Sequence, residues 1–170
     1  MGVLSLENRL LAIDPGSEKS GWVLYREGRV EECGVDPNSE ILRLVKAPVF
    51  QDLVIEELQS YGKNIGKTVL DTARWIGRFQ QAYFEKTGVE SHTLSRVQVK
   101  ARLCGKVSRG DKEVRRALIL RFGGTKERAI GTKDQPGPLY GVASHAWAAL
   151  GLAVVFTDNR RFEFIRGNAK

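Results

Sequence analysis

The stretch Leu10-Leu11-Ala12-Ile13-Asp14-Pro15-Gly16-Ser17 decides how this chain is read. Four apolar residues in a row end in an aspartate and then turn on Pro-Gly. A short apolar run bounded by turn residues is the pattern of a fully buried strand. A second run, Trp22-Val23-Leu24-Tyr25, follows at hairpin distance. A carboxylate carried to the end of a buried strand is the start of a site for a hard cation such as Mg²⁺, which binds through one or two carboxylates plus substrate phosphates. Asp before Pro-Gly also suits an ordinary turn, because Asp bonds its own backbone and Pro presets φ.

A second acidic strand favours the metal reading. Val49–Glu57 contains Leu53-Val54-Ile55 and ends in Glu56-Glu57. If this strand pairs with the first at the sheet centre, its carboxylate meets Asp14. Like charges at neighbouring strand ends repel unless a cation sits between them. Side chains alternate faces along a strand, so only one of Glu56 and Glu57 can face Asp14, and the spacing leaves open which. His145 is the third candidate. It falls on an apolar helix, Val142–Phe156, where a lone histidine is usually a satisfied core or helix-end residue, and a helix closing over the sheet would bring it to the metal.

The charge points to a polyanion. The 170 residues carry a formal +7 and a pI of about 9.6. From Arg96 to Lys133 twelve Lys and Arg are opposed only by Asp111, Glu113 and Glu127, so this segment is +9 and the remainder is −2. Basic charge gathered in one part of a domain is the electrostatic footprint of nucleic acid. Two widely separated cysteines, Cys33 and Cys104, argue for reduced thiols in the cytoplasm and against a zinc site. No apolar run reaches 18 residues, so no membrane span is expected. Met1 to Arg9 has the pattern of neither a signal peptide nor a targeting helix. The length suits one domain over residues 1–170.

The remaining elements follow from pattern. Leu10–Asp14, Gly21–Arg26 and Arg29–Cys33 read as antiparallel strands, the last two joined by Glu27-Gly28. A short helix is expected at Glu40–Lys46 and a long one at Thr68–Lys86, with Val69, Ala73, Ile76, Phe79 and Tyr83 at helical spacing and Gly88 as its cap. Val89–Leu94 reads as a strand, and Val97–Leu103 and Lys112–Phe122 as basic helices. Gly123–Pro138 reads as loop, Gly141–Phe156 as a buried helix and Arg161–Ile165 as a terminal strand. Trp75 and Trp147 are assigned to packing, Phe79 and Tyr83 to core or a dimer interface, and Tyr61 falls in the loop after Glu56. This order is that of an α/β domain with a mixed sheet.

Taken together, these motifs resemble the RuvC-type Holliday junction resolvases of the ribonuclease H-like superfamily, phage-borne members in particular. Ala12-Ile13-Asp14-Pro15-Gly16-Ser17 with Gly21-Trp22 is similar to the family's opening strand and hairpin. Val54-Ile55-Glu56 is similar to its second acidic motif, which selects Glu56. Arg96-Val97-Gln98-Val99-Lys100, Gly105 and Lys112-Glu113-Val114 resemble its DNA-contacting segment. His145-Ala146-Trp147-Ala148-Ala149-Leu150 resembles its final helix. The likeness runs from about Leu10 to Phe156.

The resemblance implies a ribonuclease H-like mixed five-stranded sheet flanked by helices. It also implies a homodimer that cleaves four-way DNA junctions with Mg²⁺ or Mn²⁺, two ions per active site. Asp14, Glu56 and His145 would hold the metals and carry catalysis. Lys100, Lys106, Arg109, Lys112 and Arg116 would bind DNA. The chain departs from the family on its last helix. Where a further carboxylate is usual, three residues after His145, it has Ala148. That departure opens two alternatives: a junction-binding copy impaired in cleavage, or a related nuclease for flaps or other branched DNA.

Overall fold

The computed structural model describes residues 9–59, 62, 65–105 and 110–167, with side chains as far as Glu163. Five strands form one sheet: β1 (Arg9–Asp14), β2 (Lys19–Arg26), β3 (Arg29–Pro37), β4 (Asp52–Glu57) and β5 (His92–Ser95), in the order β3-β2-β1-β4-β5. The first three run antiparallel as a meander. The pairings β1–β4 and β4–β5 are parallel, so the sheet is mixed.

The helices are α1 (Asn38–Lys46), α2 (Lys67–Thr87), α3 (Arg96–Cys104), α4 (Asp111–Gly123), α5 (Lys126–Ala129) and α6 (Ala146–Gly167). They cover both faces of the sheet, which is why β1 is apolar from Leu10 to Ile13. On one face Leu10, Ala12, Val23, Tyr25 and Val54 pack with residues of α3, α4 and α6. On the other Leu11, Ile13, Leu24, Leu53 and Ile55 pack with Ile41 and Val45 of α1 and with Phe79 and Tyr83 of α2.

This alternation resolves the choice between the two glutamates. Ala12 pairs with Val54 and Ile13 with Ile55. Asp14 therefore shares the α6 face with Leu10 and Ala12, and Glu56 shares it with Val54. Glu57 belongs to the α2 face and is exposed.

Several expectations are corrected. The expected terminal strand at Arg161–Ile165 is the continuation of α6. No Gly or Pro interrupts residues 152–166, so the helix has no reason to stop. Two ion pairs tie it down, Asp158 with Arg121 and Arg160 with Asp52. The expected loop Gly123–Pro138 contains the short helix α5, which Thr125 caps through the Arg128 amide, and an isolated bridge from Gly131 to Pro136. The fifth strand begins at His92 rather than Val89.

On α2 the expected apolar face is buried only over its second half. Phe79 and Tyr83 are core, Ile76 is half-buried, and Val69 and Ala73 are exposed. Gly88 caps the helix in the left-handed region at φ 71°. Trp147 is core and Trp75 packs beside Phe79. Tyr61 lies outside the described residues. Neither cysteine is in a disulfide. Among the described residues no helix is long and apolar enough to cross a membrane.

Candidate active site

Asp14 is buried at the end of the central strand. Its position is fixed from two sides. The Pro15-Gly16 turn behind it is held by the buried Asn38, whose Nδ2 donates to the Gly16 carbonyl at 2.9 Å. In front of it stands His145, with Nδ1 2.9 Å from Asp14 Oδ2. Residue 21 must be glycine for this contact. Gly21 pairs with Asp14 across β1–β2. A Cβ at Gly21 would come within 2.4 Å of the His145 backbone carbonyl carbon.

His145 is not on the final helix, as the apolar run suggested. It precedes α6, and its carbonyl accepts from the amides of Ala148 and Ala149 as a cap. The break comes from Gly141 and Ser144, both at positive φ (86° and 47°), which end the turn region just before it. A residue at the cap is freer to reach across to β1 than one embedded in the helix.

Glu56 lines the same cleft as Asp14 and His145. Burial pushes its carboxyl up to about 7, and the neighbouring charge of Asp14 pushes in the same direction. Asp14 is likewise raised by burial, against the opposing pull of His145 and Arg96. The two carboxylates therefore resist being ionised together, as expected of like charges sharing a site.

The cleft's own counter-charge is Arg96, the first residue of α3. Its Nη1 donates to Glu56 Oε1 at 3.2 Å and its Nη2 to Asp111 Oδ2 at 2.7 Å. Burial works against the guanidinium's charge, but the hydrogen bond to Asp111 and the charges of Glu56, Asp111 and Asp14 hold it firmly protonated. Lys100, one turn further along α3, lies 3.4 Å from Asp111 Oδ1. Arg115 lies over the Trp147 ring at 4.7 Å from its centroid. The far wall, beside Trp147, is Ala148.

The structure thus brings Asp14, Glu56, His145 and Lys100 together in one cleft. Lys112 and Arg116 are exposed on α4 and do not line it. Lys106 and Arg109 lie outside the described residues. Arg96, Asp111 and Arg115 also line the cleft. In the sequence Arg96 stood only within the DNA-contacting motif, and Asp111 and Arg115 had no role in the site. Arg96 had a legible signal: it directly follows the strand that pairs with β4, so its side chain starts beside the acidic strand end.

Among the described residues no three His, Cys, Asp or Glu side chains are set to hold a metal ion as they stand. The expected three-ligand cage is a direct Asp14–His145 contact with Glu56 beside it. The donor chemistry nevertheless fits a Mg²⁺-like ion. Asp14 and Glu56 offer hard oxygen donors on one face of the sheet, and such ions need only one or two carboxylates when substrate phosphates complete the shell.

Comparison with solved structures identifies the fold. RuvC of Thermus thermophilus in complex with a Holliday junction substrate superposes with a TM-score of 0.66, covering 92% of this chain and 97% of that one at 21% identity. The chain has the RuvC fold. A second structure of Thermus thermophilus RuvC gives a TM-score of 0.60 at 22% identity, covering 91% of this chain and 96% of that one. No protein-family model matches the chain, and no curated protein does. The RuvC resemblance drawn from the motifs is borne out in the fold, and so is the mixed five-stranded sheet flanked by helices.

Proposed function

We propose that this protein is a divalent-metal-dependent endonuclease that resolves four-way DNA junctions by phosphodiester hydrolysis. The observation that carries the reading is the placement of Asp14 and Glu56 on one face at the ends of adjacent parallel strands of a RuvC fold. Bound there, Mg²⁺ or Mn²⁺ supplies a nucleophile from water at neutral pH and charge stabilisation for the leaving oxygen. Asp14 and Glu56 hold the cation. His145, anchored through Nδ1 on Asp14, keeps Nε2 for the proton of the attacking water. Lys100 and Arg96 neutralise phosphate at the cleft, and the basic segment around α3 and α4 carries the flanking DNA. In this reading the active form is a homodimer, whose two-fold axis matches that of the junction.

The test is a labelled four-way junction incubated with Mg²⁺ or Mn²⁺, with linear duplex and flap substrates alongside. Paired nicks at symmetric positions, lost in Asp14→Asn, are the expected result. Absence of cleavage with both metals sinks the nuclease reading. Equal cutting of flaps replaces the junction with branched DNA in general.

A second reading has one observation in its favour. Ala148 lines the cleft where a RuvC-type nuclease would carry a further carboxylate, which leaves a second ion short of a ligand. The protein is then a junction-binding copy with impaired cleavage. Salt-sensitive junction binding without nicking is its signature.

A further inference from the structure

One carboxylate in the cleft holds two cations. Asp111 accepts from Arg96 through Oδ2 at 2.7 Å and faces Lys100 through Oδ1 at 3.4 Å. It is also the most exposed of the three, at 67% against 39% for Arg96 and 20% for Lys100. The cations are well rooted. Arg96 opens α3 directly after Ser95, which forms a capping box with Gln98 (Ser95 amide to Gln98 Oε1 2.7 Å, Gln98 amide to Ser95 Oγ 3.2 Å). The other end of the Arg96 guanidinium rests on Glu56. The anion is the exchangeable partner, since an exposed ion pair is weak and screened by salt.

A carboxylate presents to Arg and Lys the same pair of charged oxygens that a phosphodiester presents. We infer that Asp111 is an internal stand-in for a DNA phosphate, holding Arg96 and Lys100 as a phosphate-binding pair that the substrate backbone takes over from it. The inference rests on the proposed function, because it takes the substrate to be a phosphodiester. It assigns Arg96 a role at the site, on the same cleft as Ala148. A guanidinium between Glu56 and a substrate phosphate supplies positive charge to a cleft whose far wall offers no further carboxylate. It also gives the unloaded site a neutral resting arrangement. Without a counter-anion, Arg96 and Lys100 would repel each other across the mouth of the cleft.

The experiment measures binding of a fluorescent four-way junction in EDTA, where no metal is present and nothing is cut. Asp111→Asn removes the charge and keeps the shape. It should tighten binding by about tenfold and steepen the dependence of log K on log salt by about one to two, as two freed cations reach phosphate. Arg96→Gln in the Asp111→Asn background should abolish most of that gain. Glu85→Gln, the same charge change at an exposed site on α2 at the other face of the sheet, should leave affinity within about twofold, as one distant screened charge would.

Unchanged or weaker binding by Asp111→Asn overturns the inference. So does an equal gain from Glu85→Gln, or a gain that survives loss of Arg96. Thermal melting checks that each variant is folded, and Asp111→Ser serves if the Asn variant is not. A wild type that binds neither junction nor duplex at low salt overturns the proposed function and this inference with it. Normal wild-type binding with no response at Asp111 overturns the inference alone.

Discussion

The imidazole Nδ1 of His145 stands 2.9 Å from Asp14 Oδ2, a contact made across 131 residues of sequence. It joins the end of the first strand to the residue just before the last helix, and Gly21 makes room for it. Gly21→Ala puts a methyl group 2.4 Å from the His145 carbonyl carbon, so β2 or the residues before α6 must move. Overpacking of this kind costs about 1–3 kcal/mol. A displacement near 1 Å at a reacting group can cost about 100-fold in rate. Urea unfolding and single-turnover junction cleavage measure the two effects. An unchanged cleavage rate in a destabilised Gly21→Ala protein would show that the His145 position does not matter to the chemistry.

Glu56 sets the pH response. Its carboxyl is raised from 4.5 to about 7 by burial and by Asp14, so the folded chain holds that proton more tightly than the unfolded chain does. Stability linked to Glu56 is therefore fully present below pH 4.5 and is lost as pH rises toward 7. The shift is worth at most roughly 3 kcal/mol. Asp14, also raised, acts in the same direction. In EDTA the melting temperature should fall between pH 5 and pH 8, and Glu56→Gln should flatten much of that fall. Mn²⁺ should raise the melting temperature more at pH 8 than at pH 5, because below neutrality protons compete for the same oxygens. A metal effect independent of pH would place the ion elsewhere.

The central strand and its carboxylate were legible because β1 is apolar at four consecutive positions and can only be buried on both faces. Glu56 was legible from the residues only as one of a pair. The choice needed the register Ile13↔Ile55, which no local pattern contains. The final helix was misjudged at both ends for different reasons. At its start, positive φ at Ser144 is not a preference that serine announces. At its end, Arg161–Ile165 alternates like a strand, but the helix ahead of it has no stop signal and is pinned by Arg121 and Asp52. Arg96 was legible only as part of the DNA-contacting motif, and Asp111 not at all, because their place at the site comes from a tertiary juxtaposition of β4, α3 and α4. Within the sequence they are two more charges in a charged segment.

Ala148 tests how many ligands the site requires. It lines the cleft at the first turn of α6, beside the buried Trp147. Ala148→Asp adds a third carboxylate to a cleft where Asp14 and Glu56 already disfavour each other's charge. Without metal the variant should melt lower at pH 8, because a further like charge is being confined. With Mn²⁺ the order should reverse, and junction cleavage should rise by about tenfold or more, the gain expected from completing a Lewis-acid site. Destabilisation that Mn²⁺ fails to relieve would show that the alanine wall is not a missing ligand position.

Asn38 provides a test of the turn that presents Asp14. Its buried amide is engaged at both ends: Nδ2 donates to the Gly16 carbonyl at 2.9 Å, and Oδ1 accepts from Ser20 Oγ at 2.6 Å. The Gly16 amide in turn donates to Ser20 Oγ at 3.2 Å, closing a ring around the Pro15-Gly16 turn. Asn38→Ala leaves the Ser20 hydroxyl and the Gly16 carbonyl without these partners in a buried setting, which costs about 1–3 kcal/mol. Asn38→Asp keeps an acceptor for Ser20 but sets an oxygen against the Gly16 carbonyl, so it should be at least as damaging despite its equal size. Ser20→Ala removes a donor and an acceptor together and should cost less than Asn38→Asp. Denaturant midpoints give this order directly. If Asn38→Ala and Asn38→Asp both unfold like the wild type, the ring does not hold the turn, and the placement of Asp14 must come from the sheet alone.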